Sequence, residues 1–161
     1  MKSVIKSIAL VSTLAASMAV FGQASASTIT LPKTVTGTVT VKQSIQITCN
    51  FSGTLQLDST GQLVIANPTF SAGNILCGGA VKPNAGPWVV SGVSLTGAHS
   101  GVPVTISNVG ASTFLGGNCL GNITGTLSDS GTSGHTLTVP GPQTIPGTPS
   151  SCQIIGGTFN F

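Results

Sequence analysis

The stretch VTGTVTVKQSIQITCNFSGTLQLDS, residues 35–59, alternates apolar and polar side chains with a period of two. Val35, Val39, Val41, Ile45, Ile47, Cys49, Phe51, Leu55 and Leu57 take odd positions, and the even positions carry only Thr, Lys, Ser, Gln, Asn and Asp. Successive side chains of a β-strand point to opposite faces, so the pattern describes strands with one face in a core and the other in water. At about 3.3 Å per residue the run is too long for one strand of a small domain. Gly37, the polar residues 42–44 and Gly53 are the natural breaks. Residues 28–41 are read as one or two strands and 44–57 as another, with the bend near 42–44.

The rest of the chain continues in the same style. DSTGQ at 58–62 is a turn, and LVIANPTF returns as a strand. A Pro/Gly loop leads to Trp88, and WVVSGVSLTG and VPVTISNVG supply further strands. GNCLGNITGTL runs through Cys119, SDSGTSGH turns, and TLTVP pairs back. GPQTIPGTPS is read as a loop, being too rich in proline for a central strand. CQIIGGTFNF closes the chain, with Ile155, Phe159 and Phe161 on one parity. No segment carries a helical period. The fold class is all-β, an antiparallel β-sandwich or partly open barrel of about eight to ten short strands stapled by disulfides.

Charged residues make up 4% of the sequence, which has two aspartates and no glutamate. Polarity comes from hydroxyls and amides instead. No basic cluster exists to neutralise phosphates, which excludes a nucleic-acid partner. Residues 1–26 have the form of a secretory signal peptide: Lys2 and Lys6, an apolar middle, then Ala24-Ser25-Ala26 for cleavage. The expectation is a single secreted β-domain over 27–161, exported by the general secretory route through the periplasm, with 27–41 available as an extended N-terminal arm. Nothing after residue 26 approaches the roughly 20 apolar residues of a transmembrane helix. That domain keeps Lys33, Lys42 and Lys82 against Asp58 and Asp129, so three positive charges minus two negative leave +1. So little charge gives copies weak mutual repulsion and permits self-association.

Cys49, Cys77, Cys119 and Cys152 all lie in the exported part. An even count there points to two disulfides. Of three pairings, Cys49–Cys77 and Cys119–Cys152 are favoured, because each closes a loop of moderate length and staples one half of the chain. With no close cysteine pair and two histidines, no metal site is expected. Asp58 and Asp129 sit in Gly/Ser turns where Asp bonds its own backbone; His99 is placed in a turn and His135 at a hairpin cap. A Ser-His-Asp set can be drawn on paper, yet no GxSxG elbow accompanies it. No catalytic, cofactor or metal residues are assigned, and the protein is read as a non-enzyme. Trp88, Phe159 and Phe161 read first as core aromatics and second as contacts to an apolar surface.

ITCNFSGTL, NPTFSAGNILC, GPWVV, GGNCLGNITGTL and SSCQIIGGTF, in that order, resemble the PraA/PraB family of small exported Gram-negative proteins, activators of alkane oxidation. The resemblance implies a secreted exoprotein that promotes hydrocarbon use through emulsification or contact with oil droplets. Its partners would be apolar surfaces, hydrocarbon droplets and the cell envelope. It transfers no catalytic residue and no cofactor. TVTGTVTVKQSIQITCN also resembles the donor arm and first strand of chaperone–usher pilins, so the alternative is a fimbrial or biofilm-matrix subunit assembling by strand addition.

Overall fold

The computed structural model describes residues 27–71, 73, 75–79, 81–84, 86–113, 117–130 and 134–161. The expected signal peptide lies outside the described residues. In chain order the strands are β1 (Ser27–Thr28), β2 (Lys33–Lys42), β3 (Gln46–Leu57), β4 (Leu63–Ser71), β5 (Val81–Pro83), β6 (Trp88–Ser91) and β7 (Thr96–Gly97). They continue with β8 (Ser100–Thr113), β9 (Asn118–Ser130), β10 (Gly134–Val139), β11 (Gln143–Ile145), β12 (Gly147–Thr148) and β13 (Cys152–Asn160). There is no helix among the described residues.

β2, β3, β4, β6, β8, β9, β10 and β13 pair in that order, each antiparallel to the next, and β13 returns to β2. The result is a closed eight-stranded up-and-down barrel, an arrangement in which no strand of the ring is left with a free edge. Its inner positions are Val35, Val39, Cys49, Phe51, Leu55, Val104, Leu127 and Leu137, all buried. Thr36, Thr38, Thr48, Asn50 and Thr126 on the outer face are exposed. Apolar side chains inside and hydroxyls outside is the reverse of a membrane-spanning barrel.

The alternating run breaks at residues 43–45, and β2 pairs with β3 from Lys33↔Leu55 to Lys42↔Gln46. Residues 33–42 are not a free arm. They have β3 on one side and β13 on the other, so the strand that a pilin would lend to a neighbour closes this barrel itself. Gly37 and Gly53 do not end strands either. Gly37 lies opposite Phe51 on one side and Phe159 on the other, and a Cβ there would strike the Thr158 carbonyl and the Phe159 backbone. Its missing side chain lets two rings on flanking strands meet over it. Gly53 sits at a register shift between Ser52 and Thr54.

A second shift between Ile154 and Gly156 changes the parity of β13. Ile154 is buried and Ile155 is only half-buried, while Phe159 regains the core. The single odd parity expected for Ile155, Phe159 and Phe161 therefore fails at Ile155. The Pro-rich 141–150 segment is not wholly loop: it adds β11 beside β13 and β12 beside β9. Both are short and fill the wall between β9 and β13 past the end of β10, and Pro142, Pro146 and Pro149 fall outside their paired residues, so no ladder hydrogen bond is lost.

Phe51 is the centre of the interior. It stacks on Trp88 at 5.3 Å between ring centroids, meets Phe159 edge-on at 5.1 Å and lies 6.2 Å from Phe70. The disulfides are Cys49–Cys77 and Cys119–Cys152, with Cα atoms 5.6 and 6.1 Å apart. The first ties the loop after β4 to the barrel wall. The second ties β9 to β13, which are not neighbours in the ring.

Candidate functional site

Above the aromatic cluster the barrel is not filled. A cavity of about 150 Å³ lies among Val39, Ile47, Val109, Ile123, Ile145 and Ile154 from the walls, with Phe70, Trp88 and Phe159 also against it. Almost all of this lining is apolar. The cavity reaches the surface at the β2–β3 turn, where Lys42, Gln43, Ser44 and Ile45 form one lip and Pro149 another. The Gln43 amide braces the two lips, donating to the carbonyls of Thr148 at 3.1 Å and Ser150 at 2.8 Å. Ile45, though on the apolar parity, is 54% exposed at this lip. The parity fails there because the turn lifts the side chain out of the barrel. Leu76, from the loop carrying the 97% exposed Ile75, also lines the cavity.

Trp88 and Phe159 are thus turned into the barrel, and Phe161 is half-buried. What apolar contact Trp88 and Phe159 make is made inside. The Trp88 indole N–H has no acceptor in the protein, the single such buried side-chain atom among the described residues. A donor left unpaired in a core costs free energy, so the apolar character of this wall is maintained against a penalty.

A second feature joins residues that are remote in sequence. The Asp129 side chain reaches beyond its own hairpin. Its carboxylate accepts from Nδ1 of both His99 and His135 at 3.0 Å, and from the His99 backbone N–H at 2.9 Å. His99 Nε2 faces the Ser94 carbonyl at 2.8 Å, and His135 Nε2 lies 3.4 Å from the Ser27 hydroxyl. The cluster therefore gathers β1, β9, β10 and the stretch before β7. These three side chains offer metal-ligand atoms within 4.8 Å of one another, but both Nδ1 atoms already point at a single carboxylate oxygen.

Ser27, His135 and Asp129 also have the connectivity of a hydrolytic triad. Ser27 and His135 are buried, and none of the three lines either of the two apolar cavities. The carboxylate is shared with a second histidine, which departs from the one-to-one chain of a triad. The arrangement works as a polar latch within the fold. Spacing alone could not reveal it, because Asp129↔His135 is a hairpin pair while His99 arrives from another part of the chain.

Asp58 behaves as its turn predicts, accepting from the backbone N–H of Thr60 and Gln62 and from the Thr60 hydroxyl. The Thr60 hydroxyl, then those N–H groups, hold its carboxyl below the usual aspartate range. For Asp129 the His99 backbone N–H is the main cause of a lowered value, with both imidazoles adding and desolvation opposing. A lowered carboxyl supports the fold above its unfolded value near 3.9 and loses that support as pH falls through the folded value. Circular-dichroism melts are expected to give a midpoint that falls as pH drops below about 4. Asp129→Asn lowers the midpoint measured above that range and shrinks the acid drop.

A family model described as alkane oxidation protein activator PraA/PraB-like matches residues 1–160. No curated protein and no solved structure matches the chain.

Proposed function

Because the chain belongs to the alkane oxidation protein activator PraA/PraB-like family, we propose that it is a secreted, non-catalytic exoprotein that promotes hydrocarbon use by adsorbing to oil surfaces and the cell envelope. The observation that carries this reading is the open barrel end. There Ile45 and Ile75 stand exposed beside an apolar cavity, on a body whose outer face is otherwise mostly hydroxyl and amide, with Leu57 and Leu120 also exposed. Low charge leaves little electrostatic barrier to an apolar surface. Burial contributes about 25 cal/mol per Å², so a small patch suffices when many copies bind. Two disulfides and a closed ring resist spreading on the droplet.

The test is a pendant-drop measurement with purified protein and hexadecane. Interfacial tension is expected to fall, and less so for Ile45→Ser/Ile75→Ser. An unchanged tension with the parent protein rejects adsorption.

A further inference from the structure

We propose that the barrel cavity is a binding site for the end of one unbranched hydrocarbon chain, an n-alkane entering methyl-first at the β2–β3 turn, past the Gln43 side chain that reaches the Thr148 and Ser150 carbonyls. The inference rests on the hydrocarbon part of the reading above and does not need adsorption. Three observations support it. The lining is almost wholly apolar, so a ligand polar along its length would lose its water with at most the unpaired Trp88 indole N–H to replace it. The volume of about 150 Å³ matches apolar cavities that take one small hydrocarbon and stay dry when empty. It is too small for the compact ligands that fill pockets of roughly 300 Å³ or more, but the mouth is open, so the remainder of a longer chain can lie outside against Ile45.

At about 30 Å³ per water-sized group, the cavity accepts roughly five carbons. Among the described residues Lys42 is the only charged one on the lining, and it is exposed to water at the lip. A single solvated lysine adds little for a carboxylate, which favours the neutral alkane over a fatty acid.

Trp88 is the only tryptophan of the chain and lies against the cavity. Its fluorescence therefore reports occupancy. Titration of the mature protein with 1-bromooctane, whose heavy atom quenches indole emission on contact, is expected to saturate at one equivalent and to be reversed by octane. Displacing alkanes from propane to decane should tighten about fourfold per methylene up to the filling length of roughly five carbons, then level off. Ala111→Phe and Val41→Phe, both at half-buried lining positions, should weaken binding at least tenfold in whichever variant keeps the parent's circular-dichroism spectrum.

Quenching that grows linearly without saturation overturns the site, as does parent-like binding in folded variants. Quenching by 8-bromooctanoate alone, abolished by Lys42→Ala, overturns the alkane assignment in favour of a fatty acid. The chain-length series uses the unaltered protein and decides the matter even where both variants misfold. Saturable quenching with unchanged pendant-drop tension sinks adsorption and leaves the site standing. The converse sinks the site alone.

Discussion

Phe51→Ala is expected to lower the free energy of unfolding by about 3–5 kcal/mol, the range for deleting a buried aromatic. The upper part applies here. Phe51 touches three other rings, and each such pair adds about 0.5–1.5 kcal/mol beyond area burial. Gly37, facing it across the β2–β3 ladder, has no side chain to move into the hole, so collapse cannot recover the loss. Urea unfolding followed by circular dichroism measures it. A decrease under about 2 kcal/mol, below the range for such deletions, would show that the ring cluster is not the centre of the fold. Domains carry only about 5–15 kcal/mol of stability in total, so this variant sits near the edge of folding.

Loss of both disulfides has a larger effect still. The bridges span 28 and 33 residues, for which the chain-entropy relation gives about 3.5–4 kcal/mol each. Together that is comparable with the whole stability of a small domain. Treatment with dithiothreitol is expected to collapse the strand signal near room temperature. The Cys119→Ala/Cys152→Ala variant, melted beside Cys49→Ala/Cys77→Ala, separates the two. The Cys119–Cys152 bridge also lines the apolar cavity, so its removal should loosen that end of the barrel first. A reduced protein that melts like the oxidised one contradicts the proposed role of the bridges.

Much of the fold was legible from side-chain alternation, because the period-two rule is local. Residues 35–57 announce two strands and which side of each is apolar, and the bend falls where the polar residues 42–44 put it. Even cysteine count and loop length sufficed for the pairing. Closure of the ring was not legible. Alternation says which face is buried but not whether the last strand meets the first, and β13↔β2 pairing has no local mark. Register shifts hide too: the one at Ile154/Gly156 swaps the inward residue from Ile155 to Ile154, and the one at Ile106/Val109, beside Asn108 at φ 61°, does similar work in β8.

The candidate site divides the same way. Trp88 and Phe159 were visible as aromatics whose place was open between core and surface. They prove to be core residues that also wall a cavity, a combination that depends on the closed ring. Asp129 and His135 are six residues apart and could be suspected of meeting. His99 could not be joined to them without knowing that β8 lies beside β9.

The pairing of β2 with β13 has a consequence for how the molecule comes into being. The earliest barrel strand of the polypeptide finds one of its two neighbours only in the last, so a growing or threading chain cannot complete its cylinder until its tail is delivered. Such distant pairing makes folding slow. On the secreted reading proposed above, with export as an open thread, that delay keeps the chain passable until its last strand has crossed.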